Sequence, residues 1–167
     1  MPLDPSPHPE SVPETAAAWV AEGRRLQRLD RNASALAAFD RALRLEPHLE
    51  SAWLAKALLL EELERIDEAL ATYAALLDRH PHHVAASSNR AGLLLQEGRH
   101  DEALASLDLA LAADPGNDVL ALNKGLLLLQ GFANPTAARP WLERARAFPE
   151  AQEALALCAE ESLSGRS

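Results

Sequence analysis

The chain has 167 residues, enough for one domain with a real core, and it is 48% hydrophobic but only 4% aromatic, so Ala and Leu, both good helix formers, carry the apolar content. A formal charge of −9 and a sequence pI near 5.1 leave no basic footprint for nucleic acid or an anionic membrane. The single cysteine, Cys158, excludes an internal disulfide and a Cys-based zinc cluster, and no apolar run reaches the roughly 18 residues of a transmembrane helix.

Residues 1–15 carry Pro2, Pro5, Pro7, Pro9 and Pro13 among polar and acidic neighbours. They lack the charged start and apolar stretch of a secretory signal, so a disordered tail and a cytoplasmic location are expected. From Ala16 to Leu29 the residues Trp19, Gly23 and Leu26 recur at helical steps and share one face. After the polar turn Asp30-Arg31-Asn32, Ala35, Phe39 and Ala42 do the same in a second helix that ends near Leu45. Short connections make such a pair antiparallel. Small residues at Gly23, Ala35 and Ala42 allow the axes to approach, and added bulk there would overpack the contact by about 1–3 kcal/mol. Trp19→Ala is expected to cost about 3–5 kcal/mol if its ring is core.

This pattern repeats. Pro47, Pro81, Pro115 and Pro149 recur at one constant spacing of thirty-four, each stopping a helix. The same step aligns Ala35, Ala69, Ala103 and Ala137, then Gly23, Ala57, Ala91 and Gly125, then Phe39, Tyr73, Leu107 and Trp141. Trp19 and Trp53 begin a column that continues as Ser87 and Ala121. The expected repeats are 16–49, 50–83, 84–117 and a degenerate 118–151, followed by a capping helix over 150–163 and a short tail over 164–167. In the fourth repeat Asn134-Pro135 suits a helix start, but Pro140 forfeits a backbone bond inside the helix, so irregularity or a start near Arg139 is expected. Arg144 stands in the column of Ala42 and Ala110 and predicts looser packing. In the cap, Leu155 and Ala159 fall on the tryptophan and small-residue columns, and Cys158 reads as a packing residue.

Trp19-x-x-Glu22-Gly23-x-x-Leu26, Ala35-x-x-x-Phe39 and Pro47 together resemble the tetratricopeptide repeat signature, with Glu22 and Leu26 where that family has Leu and Tyr. The resemblance extends over about Ala16 to Pro149. It implies an all-α fold, a right-handed α-α superhelix of about four antiparallel pairs plus a C-terminal capping helix, whose first helices line a concave wall. It further implies a protein-binding scaffold, an adaptor or co-chaperone-like module that holds a partner's peptide segment there.

By the same carry-over, the groove residues are Arg24, Arg28, Leu54, Leu58, Asn89, Gln96, Leu122, Asn123 and Leu126. Val20, Gln27, Ser51, Ala55, Glu62, Ser88, Gly92 and Gln130 lie beside them. Asn89 and Asn123 are one period apart, and each amide could clamp an extended peptide backbone by donating and accepting together. The bland alternative is that they satisfy neighbouring groups while the leucines pack between repeats. The family's carboxylate clamp for chaperone tails is not expected, because Val20 or Leu54 stands where its lysine should be and Ala55, Ala85 or Val119 at other clamp positions.

His80-Pro81-His82-His83 reads as exposed turn histidines, and Glu61, Glu62 and Glu64 as a solvated helix edge. No phosphate loop, nucleophile elbow or zinc-protease motif occurs. The expectation is a binding module, not an enzyme, with no cofactor or metal. Its partner is a protein or peptide, neither nucleic acid nor membrane, and a homo-oligomer is compatible with the pattern. The competing reading is a self-associating structural scaffold, and a more distant one is a type III secretion-type chaperone.

Overall fold

The computed structural model describes residues 13–164, with side chains described through residue 159. The expected tails over 1–15 and 164–167 lie outside the described residues except at their inner ends. One of those ends is structural: the Thr15 hydroxyl accepts from the Ala18 N–H at 3.1 Å and caps the first helix.

Among the described residues there are nine helices and no strand. This is the all-α helical-repeat fold expected from the sequence. The chain divides into two compact units, one through Arg65 and one from Ile66.

The first unit holds α1 (Ala16–Gln27), α2 (Asn32–Leu45) and α3 (Glu50–Glu62). Its core gathers Ala16, Val20, Leu26, Ala35, Ala38, Phe39 and Ala42 with Ala52, Ala55 and Leu59. Gly23 is buried against Phe39, and a Cβ built there would stand 2.7 Å from the ring's Cδ1 and closer still to its Cε1. Glycine is therefore the residue that lets α1 reach α2. Trp53 donates its indole N–H to the Pro47 carbonyl at 2.8 Å, tying α3 to the turn before it. Trp19 is only half-buried and carries Arg41 over its ring at 5.1 Å. The core-ring cost expected for Trp19→Ala falls accordingly, to about 1–3 kcal/mol.

The second unit holds α4 (Ile66–Arg79), α5 (Val84–Gln96), α6 (His100–Ala113), α7 (Asp118–Gln130), α8 (Pro135–Arg144) and α9 (Pro149–Ser164). Ala69, Tyr73, Leu76, Ala103 and Leu107 are at most 1% exposed and fill the hairpin interiors. Toward its C-terminal end, Ala138, Leu142, Ala145, Ala151 and Cys158 form one cluster with Leu122 and Leu128. Caps recur where the period puts them: His83 accepts from the Ala86 N–H at 3.1 Å and Asn117 from the Leu120 N–H at 3.1 Å. His83 is thus a capping residue, not a bare turn histidine.

The fourth repeat departs from the constant step by a single position, and the departure begins in its turn. The N–H groups of Arg31, Arg65 and Arg99 donate to the carbonyls of Leu26, Leu60 and Leu94, a span of five in each repeat; in the fourth, Asn134 donates to Leu128, a span of six. The left-handed residue of each turn follows suit, at Asp30, Glu64 and Gly98 but then at Ala133. Every side chain of α8 is consequently displaced by one position. Ala138 and Leu142 are fully buried where the columns predicted Ala137 and Trp141, and both of those are half-buried. A Cβ on Gly125 would meet Leu142 at 2.7 Å, as one on Gly23 meets Phe39.

Arg144 does not enter the packing as expected. Ala145, 0% exposed, takes the place of Ala42 and Ala110, while Arg144 faces out and donates to Asp118 at 3.2 Å. The contact is tight, not loose. The α8 helix also starts at Pro135, with Asn134 accepting from the Ala137 N–H at 3.0 Å, and continues through Pro140. It does not begin near Arg139. Its 10 residues compare with 14 in α2, α4 and α6. Pro149 opens α9 instead of lying in a linker, since its fixed φ suits a first helical position. Within α9, Cys158 is buried and Ala159 exposed, so the cysteine fills the small-residue role.

Candidate binding surfaces

Helices α1 and α3 flank a cavity of about 520 Å³ in the first unit. Arg24, Gln27 and Arg28 line it from α1, and Leu54, Ala55, Leu58 and Glu62 from α3. Arg24 and Arg28 are one turn apart and exposed, so both guanidinium groups are open to an anionic ligand. Gln27 donates to Glu62 at 2.6 Å and fixes one wall. Leu58 is 38% exposed and supplies apolar area. On the adjoining face Arg25 grips Glu22 with two bonds at 2.7 and 2.8 Å, and this hydrogen bonding holds the Glu22 carboxyl below its ordinary range.

Helices α5 and α7 flank the counterpart in the second unit, a cavity of about 180 Å³. Gly92, Asn123, Leu126 and Gln130 line it, each exactly two periods after Arg24, Ala55, Leu58 and Glu62. The two cavities are therefore the same feature of the repeat with different chemistry. The first is charged; the second is neutral and smaller. Asn123 reaches across its cavity and donates to the Ser88 hydroxyl at 2.6 Å.

Of the residues expected in a groove, Arg24, Arg28, Leu54 and Leu58 surround the first cavity, and Asn123 and Leu126 the second. Asn89, Gln96 and Leu122 line neither. Asn89 is half-buried and donates to the Tyr73 hydroxyl at 3.3 Å. One period on, Leu107 replaces Tyr73 and offers no acceptor, so the equivalent Asn123 turns to Ser88 instead. Gln96 is exposed outside the cavity. Leu122 is 8% exposed and packs with Leu142 and Ala151 in the core, so it has no area to offer a ligand. Val20, at 6%, is core for the same reason. Sequence reasoning missed Leu95, Leu107 and Leu127, which also line the second cavity. Leu107 stands in the Phe39 column and Leu95 and Leu127 in unbroken leucine runs, so all three read as ordinary core.

Among the described residues no three His, Cys, Asp or Glu side chains gather as metal ligands, and no helix is long and apolar enough to cross a membrane.

The family profile described as tetratricopeptide repeat matches residues 20–73 and 54–118, more than half of the chain. The chain belongs to the tetratricopeptide repeat family. No curated protein matches it in sequence. Among solved structures, a tetratricopeptide repeat protein from Parabacteroides merdae superposes with a TM-score of 0.73 at 19% identity, covering 87% of this chain and 59% of its own. This chain thus spans about three fifths of that protein. A thermophilic tetratricopeptide repeat protein of Thermus thermophilus gives 0.64 at 23% identity, covering 89% and 83%. PilW, a widely conserved type IV pilus biogenesis factor, gives 0.66 at 25% identity, covering 92% and 72%. The shared property is the tetratricopeptide hairpin fold.

Proposed function

We propose that this tetratricopeptide repeat protein is a non-enzymatic scaffold that binds an extended peptide segment of a partner protein along its first-helix faces. The observation that carries the reading is the recurrence of one cavity after two periods, between α1 and α3 and again between α5 and α7. A peptide with acidic residues suits the exposed Arg24 and Arg28, and a neutral or apolar stretch suits Asn123 and Leu126. Asn123 can exchange its bond to Ser88 for one to a peptide backbone, so that site recognises main chain more than side chain. Burying Leu58 or Leu126 beneath a partner contributes about 1.5–3 kcal/mol each, enough for a modest hot spot.

The test places a photo-cross-linking benzoyl-phenylalanine at Leu58, at Leu126 and, as an off-face control, at the exposed Leu157 of α9. Mass spectrometry then identifies what each position captures. The reading expects peptides of one partner protein at the first two positions and not at the third. Equal capture at Leu157, or none at Leu58 and Leu126, would refute it. A product formed with a second copy of this chain would favour a self-associating scaffold.

A further inference from the structure

Two columns of the repeat break together in one place. In the first unit Lys56 donates to Asp40 at 2.7 Å, and two periods later Lys124 donates to Asp108. Midway between them, Arg90 continues the cation column while Ala74 stands where the carboxylate should be. The tryptophan column fails in the same repeat. Trp19 and Trp53 are followed by Ser87.

Both losses fall on a single cavity of about 440 Å³ among α4, α5 and α6, which shares no residue with the α5–α7 cavity. Ala74, Ser87 and Arg90 all line it, and Leu77, Leu109 and Ala110 supply its apolar wall. In the first unit the same columns place Trp19 beside Pro13 and Arg41; with Ser87, no indole occupies that place in the 440 Å³ cavity. Its volume lies in the range of small-ligand sites, roughly 300–1,000 Å³.

Two polar atoms of the residues around this hollow are unmet. Ser87 is 1% exposed and its Oγ has no hydrogen-bond partner, and the Arg90 Nε is buried and equally without one. They are the buried side-chain atoms in that condition among the described residues. Buried donors are ordinarily satisfied, and two orphans lining one cavity point to a ligand that meets them. Burial pushes the Arg90 guanidinium below its ordinary value. Glu102 favours its charge from nearby, but Glu102 is already held by Arg99 through bonds at 2.7 and 2.8 Å.

We infer that this cavity binds an aromatic monocarboxylate, its ring taking the space of the absent indole and its carboxylate the place of the absent aspartate. Arg90 donates through the edge of its guanidinium, a geometry matched to a carboxylate, and Ser87 donates its hydroxyl. Pro81 lies at the same cavity, in the column where Pro47 meets Trp53, and contacts the ring. Asp78, exposed at the margin, repels a second negative charge and restricts the ligand to one.

The probes are indole-3-acetate, its neutral amide, and the peptide Ala-Ala-Trp with a free C-terminus. Binding is read by ligand-observed saturation-transfer NMR and titrated by amide shifts of the full chain. The acid or the peptide should bind with a Kd of about 1 mM or tighter. The neutral amide should bind at least about tenfold more weakly than the acid. Arg90→Met should weaken the acid by a similar factor, and Ser87→Trp should abolish binding with the helical circular dichroism intact. Ala74→Asp, which restores the missing counter-ion without emptying or filling the core, provides a second loss-of-binding variant should either of these fail to fold. If the acid binds tenfold more tightly than the peptide, a free metabolite is the source; the reverse assigns a partner's C-terminal residue. No binding of either, equal binding of acid and amide, or an unchanged affinity in Arg90→Met and Ala74→Asp would overturn the assignment.

Discussion

Gly23 and Gly92 both lie inside helices of the same class, yet alanine should act on them with opposite sign. In an open helix, Gly→Ala gains about 0.5–1 kcal/mol from the lower entropy of the unfolded chain and better helix propensity. At Gly92 nothing lies within 4 Å of the added Cβ, so that gain should appear undiminished. At Gly23 the same Cβ would collide with Phe39, standing 2.7 Å from Cδ1 and nearer still to Cε1. Phe39 is 0% exposed and enclosed in the first unit's core, so its ring cannot swing into solvent. Relieving the overlap means separating α1 from α2 or forcing the ring off its rotamer, at about 1–3 kcal/mol or somewhat more. Steric cost exceeds propensity gain, and Gly23→Ala should be net destabilising by about 1–2 kcal/mol. Urea denaturation followed by circular dichroism at 222 nm, with the slope checked for two-state behaviour, measures both variants. Stabilisation of Gly23→Ala to the same degree as Gly92→Ala would show that the close approach of α1 and α2 does not constrain this position.

The one-residue displacement of α8 is tested by a neighbouring pair. Leu142→Ala should cost about 2–5 kcal/mol, as for a buried leucine, whereas Trp141→Ala should cost less despite its larger side chain; chemical denaturation showing the reverse order would restore the strict register of the earlier repeats. Glu64 holds a left-handed φ of 55° where the next repeat has Gly98 at 70°. Glu64→Gly should therefore raise stability by about 0.5–1 kcal/mol, read as an upward shift in the melting temperature, with loss of stability as the refuting outcome. The two asparagines should separate: Asn123→Ala reduces partner cross-linking at Leu126 with little change in stability, while Asn89→Ala leaves cross-linking intact and costs about 0.5–1.5 kcal/mol through its Tyr73 bond. Equal effects on capture would return Asn89 to the binding surface.

The hairpin repeat was legible in the chain because its requirements are local and recur. Each pair of helices needs a small residue opposite a bulky one, and each turn needs a break, so Gly23 with Phe39 and Pro47 announce the architecture by themselves. Arg24, Arg28, Leu54 and Leu58 are placed on one face by the resemblance to the tetratricopeptide family, and the structure gathers them around one cavity. The constant step fails where one residue is inserted. Ala133 lengthens the fourth turn, and because a helix turns about 100° per residue, this single insertion exchanges Trp141 for Leu142 and Arg144 for Ala145 in the core. The alanine column hides the slip, since Ala137 and Ala138 are both alanine, and Arg144 in the column of Ala42 and Ala110 was the letter that marked it.

Tertiary structure also decided which expected groove residues were available. Leu122 and Val20 are spent on packing, and the identity of residue 73 or 107 directs an asparagine sixteen positions away. The cavity at Arg90 is the plainest case. Ala74 and Ser87 are unremarkable letters in different helices, and only the packing of α4, α5 and α6 brings their two absences around one guanidinium. A sequence records which side chains a repeat contains; the hydrogen bonds they fail to make exist only once the helices have met.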